Sequence, residues 1–240
     1  MSRGPRPRDS INHRREVLPR LGVDRPVEIT DTFDEFLSNV ETGIRLKLQG
    51  QRGFNAETPL RKLGITLRDD LDEGSTGRPA VSIFERRFSA RHGQKHRITW
   101  TKQDNARVRS DINNQIARLS EPDEYLPNGG LRVSLTNVVR LGDGEQSKRG
   151  QRKFGVVVDQ ESTAAERLLQ EHEIVFNGIQ TSLKRFVYPY SEYVPHVHIG
   201  TFIGPMEDTL KNDVMKVVQD LLPLQVTLEP IRMISTQQIR

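Results

Sequence analysis

The chain of 240 residues contains no cysteine. Disulfides, thiol nucleophiles and cysteine-bound zinc or iron–sulfur centres are thereby excluded. No apolar run approaches the ~18 residues that a membrane span requires. The arginines near the start are followed by no apolar segment of the kind that marks a secretory signal. The expectation is a soluble protein of the cytoplasm with no membrane partner. Apolar residues are scarce at 34%, against 28% charged, and mean hydropathy is −0.61. So polar a chain is expected to keep part of its length outside any core. What it has instead is a mild excess of base, with 36 Lys and Arg against 32 Asp and Glu. That balance suits an anionic partner such as RNA or a nucleotide, although most basic residues are solvated surface.

Residues 1–24 carry Arg3, Arg6, Arg8, Arg14, Arg15 and Arg20 among three prolines, and read as a disordered basic arm. A short strand is expected at Val27–Thr30. A helix capped by Asp31 follows to Leu48, with Phe33, Leu37, Val40 and Ile44 at helical spacing. Residues 49–78 are rich in Gly, Arg and Asp without a period, and read as an irregular insertion. Strands are expected at 80–88 and 96–101, then a helix from Asp104 with Val108, Ile112, Ile116 and Leu119 on one face. Pro127-Asn128-Gly129-Gly130 is a turn signal. It precedes an alternating strand at 131–141, a basic loop at 142–153 and a strand at 154–159. Thr163 with Glu166 forms a capping box for a helix to Phe176. After an aromatic loop come a strand at 196–202, a helix at 206–221 and a strand at 224–234.

The densest chemistry lies in Pro195-His196-Val197-His198-Ile199-Gly200-Thr201-Phe202. Side chains alternate along a strand, so His196 and His198 share a face. Paired imidazoles can bind an anion, share a proton or ligate a metal, or simply be two polar positions on a solvated face. The order of elements repeats. The halves 25–141 and 154–236 each read β–α–β–α–β, apart from the insertion. This predicts an α+β fold of two pseudo-twofold lobes, with antiparallel sheets around a central cleft and helices outside. Under the match, Lys95-His96-Arg97-Ile98-Thr99-Trp100 falls on Pro195–Gly200. His96 and His196 become equivalent and point into one cleft.

Pro-His-Val-x-Ile-Gly-x-Phe, the amphipathic helix after it and the closing strand Leu224–Ile231 resemble the second half of the two-histidine phosphoesterase superfamily. That group includes 2′–5′ RNA ligase-like proteins and cyclic nucleotide phosphodiesterases. The order of elements is similar over residues 25–236. The resemblance implies metal-free chemistry on 2′,3′-cyclic or 2′–5′ phosphodiesters, with His-x-Thr or His-x-Ser on two equivalent strands. Here His198 stands where the second hydroxyl residue belongs, and Ile98 where the first belongs, with Thr99 one place further on.

Cleavage of such a bond needs a base for water, an acid for the leaving alkoxide and donors for the non-bridging oxygens. His96 and His196 are the expected acid and base. His198, Thr99 and Thr201 are the expected phosphate ligands, and no metal or cofactor is called for. Tyr190 and Tyr193 can stack on a base, or anchor the loop. His172 and His92 are assigned no role. A monomer is expected, with an RNA or nucleotide substrate. Three other readings stand beside this one. The histidine-triad hydrolases need a third histidine where Gly200 stands. Zinc on His196 and His198 needs a third ligand such as His96. A catalytically weakened domain of the same fold would bind RNA or a nucleotide without turnover.

Overall fold

Apolar side chains at every second position form the sheet strands, and those at 3.6-residue spacing form the helices that cover it. The computed structural model describes residues 17–49, 55, 57–67, 79–87, 102–141, 152–183, 193–203 and 206–239. In chain order the elements are β1 (Val17–Pro26), α1 (Asp31–Leu48), a 3-10 turn (Leu60–Leu63), β2 (Ile65–Leu67), β3 (Ala80–Arg87), α2 (Lys102–Ile116) and β4 (Leu131–Leu141). They continue with β5 (Arg152–Val158), α3 (Thr163–Leu183), β6 (His196–Phe202), α4 (Asp208–Gln219), β7 (Leu224–Leu228) and β8 (Arg232–Ile239).

The fold is mixed α+β, and every strand pairing among the described residues is antiparallel. The strands form one eight-stranded sheet in the order β7-β4-β5-β6-β3-β1-β8, with β2 against β6. The expectation of separate sheets is corrected here. Val81 of β3 pairs with Val197 of β6 and joins the two groups of strands. The sheet also curls back on itself. Val27, after β1, bridges Leu228 of β7, and Glu229 N–H donates to the Pro26 carbonyl at 2.7 Å. Leu131, Val133 and Leu135 of β4, Val81 and Ile83 of β3, and Val197 and Ile199 of β6 belong to one apolar cluster with the buried faces of the helices. Helix α1 packs on α4, and α2 on α3.

Several boundaries differ from expectation for local reasons. Residues 17–24, expected in the basic arm, lie in β1, which is hydrogen-bonded on both sides by β3 and β8. Ladder bonds on two sides outweigh a composition that favours solvent. The insertion holds the 3-10 turn and β2, which Gly64 connects at φ +83, a conformation glycine adopts without steric cost. The cap of α1 is Thr30, whose hydroxyl accepts from Phe33 N–H at 3.3 Å. Ser162 rather than Thr163 caps α3 and accepts from Ala165 N–H at 3.1 Å. The closing strand is two strands. Pro230 has no N–H to continue a ladder, and beyond it β8 crosses to pair with β1. The strand expected at 96–101 lies outside the described residues.

In β4 a bulge between Leu135 and Asn137 leaves Thr136 without a partner on β5. Gln219, at the end of α4, answers it. Its Oε1 accepts from Val138 N–H at 3.0 Å and its amide donates to the Thr136 carbonyl at 3.1 Å. Gln219→Ala is expected to cost about 1–3 kcal/mol, because two partly buried backbone groups lose their partners. Urea denaturation checks this, and a change below about 0.5 kcal/mol would count against it.

Candidate functional site

Strand β6 forms because Val197 and Ile199 are β-branched, alternate and are buried at 0% and 1% exposure. The half-buried histidines take the opposite face. His196 Nδ1 lies 2.7 Å from the Val194 carbonyl. A carbonyl only accepts, so Nδ1 carries the proton and Nε2 the lone pair. The pKa of His196 is lowered below the ordinary imidazole value. Burial is the main cause. The Val194 carbonyl works the other way, and the electrostatic influence of His198 and Lys153 lowers it further.

His198 has the reverse arrangement. Its Nε2 lies 2.8 Å from the Gly200 carbonyl, so Nε2 carries the proton. The Thr201 hydroxyl is 3.3 Å from the same nitrogen. On a regular strand Thr201 would face away from His198. The register between β5 and β6 shifts here: Phe154 pairs with Gly200, and Gly155 with His198. Ile199 is left without a β5 partner, and this bulge turns Thr201 to the histidine side. Lys153 pairs with Thr201. The sequence placed Lys153 in a loop, whereas it lies in β5, the strand that borders the site.

Gly200 makes this close packing possible. A Cβ there would lie 2.5 Å from the Thr66 carbonyl oxygen and 2.5 Å from the Phe154 ring. The backbone oxygen belongs to the β2–β6 ladder and cannot move aside, and Phe154 is stacked on Phe202 at 4.8 Å. Gly200→Ala is expected to destabilise the protein by about 1–3 kcal/mol, a Tm loss of roughly 2–4 °C per kcal/mol in a chain of this size. An unchanged Tm would contradict this packing.

Tyr193 stacks on His172 of α3 at 4.0 Å with 7° between the rings, and its hydroxyl donates to the Ser82 carbonyl at 2.9 Å. Burial, with the nearby Glu171 charge second, pushes its pKa up. His172 Nδ1 is 2.6 Å from the Ile83 carbonyl. These contacts describe loop anchoring, one of the two roles the sequence left open for Tyr193. They give His172, to which the sequence assigned none, a place in that anchor. His96, Thr99 and Tyr190 lie outside the described residues, as does His92.

Beside β6, on β3, adjacent residues also alternate. Val81 is buried opposite Val197, so Ala80 and Ser82 take the face of His196 and His198. The sequence reading passed over this pair. The signal was present, since Pro79-Ala80-Val81-Ser82-Ile83 and Pro195-His196-Val197-His198-Ile199 share Pro, Val and Ile at the same spacing. Together the face offers two imidazoles of opposite tautomer, an ammonium and a hydroxyl, a set suited to an oxyanion.

No protein-family model matches the chain, and neither does any curated protein. Among solved structures, the structure of Kluyveromyces marxianus Usb1 with uridine monophosphate has a similar fold at 12% identity and a TM-score of 0.55. The match covers 92% of this chain and 98% of that one. Another structure of Kluyveromyces marxianus Usb1 matches over the same extents at 11% identity and a TM-score of 0.49.

Proposed function

We propose that the chain is a metal-independent phosphodiesterase acting on 2′,3′-cyclic or 2′–5′ bonds of RNA ends or small oligonucleotides. The observation that carries this reading is the His196 imidazole. It is half-buried, lowered in pKa and tied through Nδ1 to Val194. Such a ring is neutral near pH 7 and offers Nε2 as a general base. Lys153, Thr201 and His198 stand beside it to hold the phosphate oxygens. The resemblance of the octet to two-histidine phosphoesterases supports the reaction class. The uridine monophosphate in the similar Usb1 structure supports a nucleotide or RNA ligand. The second imidazole that the sequence nominates is His96, with Thr99 as its hydroxyl partner. Tyr190 is the ring proposed to stack on a base, since Tyr193 is engaged by His172.

The two-lobed repeat belongs to the same proposal. The pairs α1–α4 and α2–α3 exchange under it. The repeat matches β4 to β7, and the strand it matches to β6, residues 96–101, lies outside the described residues.

A second reading, an RNA- or nucleotide-binding domain without turnover, is favoured by Ala80, a methyl group on β3 that shares the face of the β6 imidazoles. The two readings separate in one experiment. The full chain is incubated in chelator with a panel of 2′,3′-cyclic nucleotides, 2′–5′ dinucleotides and short RNAs, and both turnover and binding are measured. Turnover of at least one compound in chelator is expected. RNA binding with no turnover would establish the second reading, and turnover only with added divalent metal would overturn the metal-independent mechanism.

A further inference from the structure

We infer that His172 is a positioning residue for His196: by stacking on Tyr193 it fixes the Val194 carbonyl that sets which nitrogen of the His196 ring carries the proton. This rests on the phosphodiesterase reading and deepens it. Among the described residues, β3 and β6 share one ladder position, Val81 with Val197. Next to it, two carbonyls of β3 are taken by side chains instead. The register between β1 and β3 passes from Val23–Phe84 to Asp24–Ser82, so Ile83 has no partner on β1. His172 of α3 answers it, with Nδ1 2.6 Å from the Ile83 carbonyl. A carbonyl only accepts, so that nitrogen donates. The Tyr193 hydroxyl donates to the Ser82 carbonyl at 2.9 Å.

These bonds set two rings face to face, 4.0 Å apart and 7° from parallel. The Phe176 ring lies 6.2 Å from that of His172. The His172 ring is therefore held at its edge by β3 and serves as a platform for Tyr193. A phenol held by one hydrogen bond can still turn about it. A flat ring against its face removes that freedom.

Tyr193 comes immediately before Val194, and Pro195 immediately after. The proline ring fixes its own φ near about −65° and confines the residue before it to extended backbone. The Pro195 carbonyl accepts from Val158 N–H of β5 at 3.0 Å. Val194 is thus held from both sides, by Tyr193 on β3 and α3 and by Pro195 on β5. Its own side chain contributes little, being 38% exposed. The direction of its carbonyl follows from the two anchors. That carbonyl lies 2.7 Å from His196 Nδ1. It keeps the proton on Nδ1 and the lone pair on Nε2, the nitrogen that acts as base. With the anchor loosened, the carbonyl turns away for part of the time. The neutral ring then divides between its two tautomers, and one of them presents an N–H where a lone pair is needed.

The test uses the full chain and two readouts on wild type, His172→Ala, His172→Phe and Gln219→Ala. The first is nitrogen NMR of the neutral His196 ring without substrate, its signals identified by their loss in His196→Ala. The second is kcat and KM on the best cyclic substrate of the panel. Thermal unfolding of each variant is recorded alongside. His172→Leu, which keeps apolar bulk without a planar face, replaces the alanine variant if that one does not fold. Wild type is expected to show a protonated Nδ1 and an unprotonated Nε2. His172→Ala is expected to show both nitrogens averaged between the two states. Its kcat is expected to fall about 10–10²-fold, the scale for a displaced reacting group, with KM within about threefold of wild type. His172→Phe keeps the stacked face, and is expected to restore the protonated Nδ1 and at least fivefold of the lost kcat. Gln219→Ala loosens the contact of α4 with β4, and is expected to change neither readout. A wild-type ring spectrum in His172→Ala, a Phe variant no better than the Ala variant, equal averaging in Gln219→Ala, or a loss carried by KM alone would each overturn the positioning role while leaving the phosphodiesterase reading intact. Absence of turnover in wild type would remove that reading, and the ring spectrum would still decide whether His172 sets the His196 proton.

Discussion

Replacing Glu171 by alanine is expected to destabilise the protein by about 3–5 kcal/mol, the usual consequence of leaving a buried charge without its partner. The Glu171 carboxylate, with 0% side-chain exposure, lies between two arginines. Arg25 donates to it through Nε at 2.7 Å and Nη2 at 2.6 Å, and Arg167 through Nε at 3.0 Å. The arginine side chains are 0% and 3% exposed. Burial works against the charge of Arg25, but the hydrogen bond and attraction of Glu171, with Tyr125, hold its pKa above the ordinary value. The remaining donors are spent on backbone. Arg25 Nη1 reaches the Gly129 and Glu229 carbonyls, while Arg167 reaches those of Ile116, the last residue of α2, and Ser120 beyond it. The cluster thus ties β1, α2, α3 and the turns before β4 and after β7. Removing the one anion strands two guanidinium charges that cannot reach water. With total stability of about 5–15 kcal/mol for a domain, the variant stands near the edge of folding. Urea denaturation gives the difference. Replacing all three charged residues by apolar ones of similar volume is expected to cost much less, because no ion is then desolvated alone. A Glu171→Ala change below about 1 kcal/mol would mean the arginines find other partners.

Replacing His196 by alanine is expected to lower kcat/KM by about 10²–10⁴-fold, or roughly 2.7–5.5 kcal/mol of transition-state stabilisation. The loss should fall on kcat, since Lys153, Thr201 and His198 still hold the phosphate. The pH profile adds a second readout. The base works only when neutral, and burial lowers the His196 pKa from its ordinary 6.5. The rising limb of the wild-type profile therefore lies below pH 6.5 and should vanish in the variant. The same shift sets a stability trend. The unfolded chain takes up this proton near 6.5 and the folded chain only at lower pH. The stabilising contribution is present above 6.5 and is lost as pH falls below it. Retention of activity within threefold in His196→Ala would remove His196 from the chemistry.

Local periodicity made much of the fold legible. Helix α1, strand β4 and strand β6 lie where the spacing of Phe33, Val40 and Ile44, the alternation of Leu131, Val133 and Leu135, and the run around Val197 place them. These elements have one face in a core, and a one-sided environment prints a period in the chain. Strand β1 could not be read this way. Arg20 and Arg25 argue for solvent, yet the strand is held by ladders on both sides and Arg25 is neutralised by a residue 146 positions away. The division between β7 and β8 was hidden for the same reason, since β8 finds its partner in β1 across the sheet.

The candidate site divides along the same line. That His196 and His198 share a face follows from alternation alone, because the strand period is a property of the backbone. The absence of cysteine and the chemistry open to paired imidazoles are likewise properties of composition. Tertiary structure decided which residues stand beside them. The β5–β6 bulge brings Thr201 to the histidine side, the β5 register sets Lys153 opposite it, and the pairing of Val81 with Val197 sets Ala80 next to His198. Register is a relation between distant segments, fixed by packing and by hydrogen bonds that no local pattern records.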